Sequence, residues 1–228
     1  MSISERASGR WAQGRAELCK VLELTLRRRD LSTPELRAAC AAAQGGSLLG
    51  VCVGSSRVLQ AAAFLEESSV KVVCSIGADG GSMDADVKRF ETEVAVDAGA
   101  HIIEVTPDLG RLRDGDYAAV LRELRDVVEA ADERPVRVCL PLETLSFLDL
   151  EQVLAVVAES GAKGLGLSAS NSAADLEAVK QCAAALGDGI HIKFETPSLT
   201  WNQVASLGNA GTILFGTTAD AEILRGEG

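Results

Sequence analysis

The stretch Gly189 to Pro197, GIHIKFETP, concentrates residues able to do chemistry. Ile190, Ile192 and Phe194 alternate with His191, Lys193 and Glu195, so a β-strand there puts three ionisable side chains on one face. A lysine centred on that face, with apolar partners covering the other, points into something enclosed. Such a lysine is either paired with an acid or prepared for chemistry. A nucleophile must be neutral, yet an ordinary lysine is neutral in only about one molecule in 2,500 at pH 7.

Apolar, β-rich segments recur at Val21 to Leu26, Leu48 to Val53, Val70 to Ile76, His101 to Thr106, Val136 to Leu142, Gly164 to Ser168, Ile190 to Phe194 and Thr212 to Phe215. Stretches with helical spacing separate them, introduced by Thr33-Pro34, Ser55, Ser82 with Asp84, Asp116, Asp149, Ser172 and Thr200. A short lead-in helix is expected around Trp11 to Cys19, and a last short helix after Thr218. Strand and helix alternate without a composition break, so residues 1–228 are expected to form a single α/β domain, a (β/α)₈ TIM barrel. A doubly wound open sheet is the alternative, weakened because no Gly-x-Gly-x-x-Gly follows the first strand.

In a barrel the site lies at the C-terminal ends of the strands. By strand parity that mouth collects Glu23 and Thr25, Glu104 and Thr106, Glu143, Ser168 and Ser170, Lys193 and Glu195, and Thr217 with Thr218. His101 and His191 sit at strand starts, the end concerned with stability, so neither a His-based metal site nor His acid/base chemistry is expected. An Mg²⁺ site of Glu23, Glu104 and Glu143 has nothing to indicate it, and no cofactor or metal is expected. Gly216-Thr217-Thr218 resembles a phosphate-binding turn, but Asp220 and Glu222 follow it and repel an anion.

Lys plus Arg total 22 against 33 for Asp plus Glu, a formal net charge of -11 that opposes nucleic-acid binding. The cluster Arg27, Arg28 and Arg29 reads as a solvated helix or loop end. The six cysteines are scattered without a Cys-x-x-Cys pair, which fits reduced thiols in a cytoplasmic setting. No apolar run approaches a membrane span, and the opening MSISERASGRW lacks a signal-peptide core.

The segment Gly99 to Tyr117, GAHIIEVTPDLGRLRDGDY, resembles the strand-4 signature of the deoxyribose-phosphate aldolase family, a class I aldolase group on a (β/α)₈ barrel. Cys52, Val53 and Val58, the segment Glu23-Leu24-Thr25-Leu26 and Lys193 on strand 7 extend the resemblance along nearly the whole chain. The resemblance implies a carbon-carbon lyase of deoxyribonucleotide catabolism, forming a Schiff base on a strand-6 lysine with a strand-4 acid and a second lysine on strand 7. Glu104 matches the acid and Lys193 the second lysine, but Gly166 stands at the nucleophile's position. The family's glycine-rich phosphate loop after strand 7 is replaced by Phe194-Glu195-Thr196-Pro197, Pro141 replaces the strand-5 acid, and the C-terminal tyrosine has no counterpart.

Two functional readings follow. In one, the chain is a divergent family member inactive as a Schiff-base aldolase, a pseudoenzyme with a binding or assembly role, as a homo-oligomer or beside an active paralogue. In the other, Lys193 is the relocated nucleophile and Glu104 its acid/base, acting on 2-deoxyribose 5-phosphate or a related small aldehyde or sugar phosphate. Glu23, Thr25, Thr106, Ser168, Glu195, Thr217 and Thr218 are then expected to bind substrate. With acids nearby and the family's neighbouring cation missing, charge favours an ion pair of Lys193 with Glu104 or Glu195.

Overall fold

A computed structural model describes residues 15–78, 80–169, 173–197 and 199–218. Eight parallel strands follow one another around a closed barrel: β1 (Leu22–Leu26), β2 (Gly50–Gly54), β3 (Lys71–Ile76), β4 (Ile102–Val105), β5 (Val136–Pro141), β6 (Gly164–Ser168), β7 (His191–Glu195) and β8 (Thr212–Thr217). β8 pairs with β1, Glu23 lying beside Gly216, so the sheet closes and the doubly wound alternative is excluded. The fold is the α/β TIM barrel expected from the alternating pattern.

The helices are α1 (Arg15–Cys19), α2 (Thr33–Gly45), α3 (Val58–Phe64), α4 (Ala85–Asp97), α5 (Leu109–Arg113), α6 (Tyr117–Ala130), α7 (Leu150–Glu159), α8 (Ala173–Leu186) and α9 (Trp201–Asn209). Their starts follow local chemistry: Asp84, Asp116, Asp149 and Thr200 each accept a backbone N–H of the first turn. The cap of α2 is Ser32 rather than Thr33, because Glu35 reaches back to the Ser32 N–H at 2.8 Å. The lead-in helix is seen as α1; its expected beginning, Ser170, Ser172 and the segment after Thr218 lie outside the described residues.

Alternation along each strand divides the residues between two environments. Leu24, Val51, Val53, Val72, Ile76, Ile103, Val138, Leu165, Phe194 and Phe215 face the helices and are buried with them in one continuous apolar layer. Removing each such side chain from water contributes about 1.5–3 kcal/mol. The opposite parity fills the interior with Glu23, Glu104, Arg137 and Lys193, all at most 3% exposed. Glycines make room for these long chains: a Cβ at Gly216 would stand 2.7 Å from Lys193 Cε. At the mouth, Gly81 has a φ of 69° and lies so close to the Pro107 carbonyl that no side chain fits between them, bringing the loop after β3 over the end of β4.

Candidate functional site

Three carboxylates and three cations meet inside the barrel. Lys193 Nζ, from the middle of β7, lies 2.8 Å from Glu104 Oε1, 2.9 Å from Glu23 Oε2 and 3.2 Å from Glu195 Oε2. Arg137, on β5, donates twice to Glu23, at 2.6 and 3.0 Å, and its Nη1 stands 3.1 Å from Glu104 Oε1. Nearer the mouth, the Arg27 guanidinium binds the Glu195 carboxylate, to which Thr25 Oγ1 also donates at 3.0 Å. Cys52 Sγ donates to Glu104 Oε2 at 3.3 Å.

Burial alone would lower the Lys193 pKa, but Glu104, Glu23 and Glu195 outweigh it and hold the ammonium well above its ordinary range. Burial would likewise raise Glu104 and Glu23, yet Lys193 and Arg137 prevail and keep both carboxyls below theirs. The site at rest is therefore an alternating array of full charges with Lys193 protonated. Cys52 and Cys139 have thiols pushed up, first by burial and then by Glu104, so neither is a ready thiolate.

An inner cavity of about 200 Å³ lies against Glu104, Thr106, Cys139, Gly166, Ser168 and Lys193. An outer one of about 460 Å³ is lined by Thr25, Glu143, Ser168, Thr196, Thr217 and Thr218. Arg27 and Glu195 line both, so their ion pair divides the mouth. Gly166 pairs with Lys193 and faces inward, but a Cβ there would meet Cys139 Sγ at 2.7 Å. The β5 thiol thus takes up the space that a side chain at residue 166 would need.

The structure brings together Lys193, Glu104, Glu23, Glu195 and Thr25, with Thr106 and Ser168 on the inner cavity wall. Thr217 and Thr218 stand apart on the outer rim, where both hydroxyls donate to the Pro197 carbonyl, at 3.3 and 3.0 Å. Glu143 is exposed at that rim, away from the buried Glu23 and Glu104; among the described residues no group of three or more His, Cys, Asp or Glu could hold a metal ion. His191 opens β7 at the far end, and His101 Nδ1 accepts the Val72 N–H there, both exposed.

Two site residues escaped the sequence reading, and both are cations. Arg27 is no solvated loop end: it continues the parity of Glu23 and Thr25 one step past Leu26 and enters the mouth, while Arg28 and Arg29 are exposed. Arg137 alternates with Val136 and Val138, so the rule that turned Lys193 inward applied to it equally. The acids around Lys193 are consequently not in excess.

No family model matches the chain. Deoxyribose-phosphate aldolases are similar to it over almost their whole length: that of Streptococcus sanguinis is 30% identical over 215 residues, 92% of this chain and 97% of that protein. That of Bdellovibrio bacteriovorus is 29% identical over 212 residues, 92% and 96% of the two chains. Among solved structures, the tetrameric deoxyribose phosphate aldolase of Aeropyrum pernix superimposes with a TM-score of 0.84 at 20% identity, covering 98% of this chain and 96% of its own. The aldolase QR15 gives 0.80 at 21% identity over 89% and 91%. With the barrel, the strand-4 segment and these full-length likenesses in agreement, the chain belongs to the deoxyribose-phosphate aldolase family.

Proposed function

We propose that this family member has given up Schiff-base aldol chemistry and binds a small molecule at the barrel mouth, with Lys193 as a structural cation. The observation that carries this reading is the set of three carboxylate oxygens within 3.2 Å of Lys193 Nζ. Attack on a carbonyl needs the nitrogen lone pair, and each pKa unit of upward shift adds about 1.4 kcal/mol to the cost of exposing it. Gly166 offers no substitute nucleophile. Glu23, Thr25, Thr106, Ser168, Glu195, Thr217 and Thr218 are then contacts for a ligand or supports of the charge array. The six free cysteines suit a cytoplasmic setting. An outward stripe of Val87, Phe90 and Val94 on α4 suits assembly with a second copy or a paralogue.

One observation favours the other reading, an active lyase on 2-deoxyribose 5-phosphate or a related aldehyde with Lys193 as nucleophile and Glu104 as acid/base. The inner cavity lies beside Lys193, with Gly166 and Cys139 in its wall. Borohydride reduction in the presence of acetaldehyde or deoxyribose 5-phosphate separates the two. The expected result is no mass added at Lys193 and no retro-aldol activity above a Lys193→Met control. An adduct mapped to Lys193 would establish the active lyase instead.

A further inference from the structure

One wall of the inner cavity is formed by Ala78 and Thr106, just past the ends of β3 and β4. The two segments are fastened to each other. The Thr106 N–H donates to the Ile76 carbonyl at 3.0 Å and the Gly81 N–H to the Gly77 carbonyl at 2.9 Å, while Gly81 packs directly on Pro107. Beneath them lies Lys88, fully buried near the start of α4. Its Nζ donates to the Thr106 carbonyl at 3.1 Å and to Glu123 Oε1 on α6 at 2.6 Å, and a Cβ on Gly77 would stand 3.3 Å from its Cε. The Asp108 N–H, from the same segment as Thr106, also donates to the Glu123 carboxyl. One ammonium and one carboxylate thus hold both segments from behind the barrel wall.

Taking an ammonium out of water is costly, and the cost is offset only while its partners stay in place. For Lys88 those partners are Glu123 and one loop carbonyl, neither of them in the array around Lys193. We propose that the Lys88–Glu123 pair is a latch on the inner cavity: while Lys88 holds the Thr106 carbonyl the mouth is narrowed, and release of that bond lets the segments around Ala78 and Thr106 move out together. The inference rests on reading the mouth as a binding site and adds what controls entry to it. The close contact of Gly81 with Pro107 makes the two segments move as one. The Thr106 hydroxyl belongs to a residue only 7% exposed, has no partner among the described residues and lies on the cavity wall, so the latched state is the one that presents it to a ligand. Lys88 and Glu123 act through Thr106 and are positioning residues.

Labelling of the whole chain with methyl methanethiosulfonate, mapped by peptide mass, tests the latch through Cys139 on the inner cavity wall. Cys40 and Cys182, buried in the apolar layer, serve as references for general loosening. Lys88→Met is expected to speed Cys139 labelling at least about tenfold relative to both references, and Glu123→Gln by less. Equal acceleration at all three thiols, or none at Cys139, overturns the inference. Hydrogen exchange of the unsubstituted chain gives a second arm: the Thr106 and Gly81 amides should exchange at one common rate, faster than the Ile103 amide within β4. A Thr106 amide as slow as that of Ile103, or out of step with Gly81, overturns it as well. The failures of the two proposals are distinguishable: an adduct trapped on Lys193 removes the preceding reading and leaves the latch standing, whereas uniform thiol labelling without an adduct does the reverse.

Discussion

Two lysines are almost wholly removed from solvent, and their surroundings differ in kind. Lys193 is inside the barrel among three carboxylates that two arginines also share. Lys88, on α4, lies behind the barrel wall and has one carboxylate, Glu123 on α6 at 2.6 Å, and the Thr106 carbonyl at 3.1 Å. The acids report the difference. Burial raises the Glu123 carboxyl and its single cation does not undo this, whereas Glu104 and Glu23 are equally buried and held low by several cations. Burial of a lysine therefore says little about its chemistry; the number of cations sharing its acids decides whether the whole array stays charged. The array around Lys193 is built to remain ionised, whereas the Glu123 carboxyl beside Lys88 is held above its ordinary range and takes up a proton more readily.

Deleting each lysine is the strongest way to break that contrast. Lys193→Met leaves three carboxylates with two arginines in a closed interior and is expected to cost about 3–5 kcal/mol in urea unfolding at pH 7. Lys88→Met is expected to cost less, about 1–3 kcal/mol, because Glu123 can take up a proton once its partner is gone. Equal losses, or a larger loss at Lys88, would mean that the shared array gives Lys193 no special role.

A smaller effect is expected from refilling position 166. Gly166→Lys places its Cβ 2.7 Å from Cys139 Sγ and should cost about 1–3 kcal/mol through overpacking. Cys139→Ala in the same chain is expected to recover most of that loss. The double variant then has a lysine beside the protonated Lys193, whose charge lowers the newcomer's pKa, and borohydride with acetaldehyde should trap an adduct at residue 166. No adduct in a folded double variant would show that the array silences any lysine placed within it, not Lys193 alone.

How far the sequence carried these conclusions depended on which regularity was applied. Strand periodicity placed all eight strands closely, and Asp84, Asp116, Asp149 and Thr200 marked helix starts, because apolar alternation such as Ile190, Ile192 and Phe194 reflects the same outer layer in every strand. The same periodicity turned Glu23, Glu104, Lys193 and Glu195 inward correctly. Arg27 and Arg137 were hidden by context, one inside a run of arginines and the other between valines of a strand that reads as apolar. Neither local charge nor composition could show that they meet acids more than 100 residues away in the chain. Lys88 was read only as part of a helix, since the face it turns toward Glu123 depends on how α4 and α6 pack.

The gentlest perturbation is pH, and it sets the two acid environments against each other. Glu104 has its folded pKa below the ordinary 4.5, so its stabilisation is complete above that value and is lost as pH falls through the folded value. Glu123 has its folded pKa raised from 4.5, so its ionisation costs stability at neutral pH, and the cost disappears as pH falls through the folded value. Lys193 titrates only above 10.5, and its contribution is constant through the acid range. The wild-type stability minus that of Glu104→Gln should therefore be flat from about pH 8 to 5 and shrink below 4.5, while the same difference for Glu123→Gln should grow as pH falls toward 4.5. Each pKa unit contributes about 1.4 kcal/mol to these differences, and the other titrating groups, His101 included, cancel between wild type and variant. Urea unfolding at stepped pH measures both curves, and slopes of the same sign would show that the two carboxylates share one kind of environment after all.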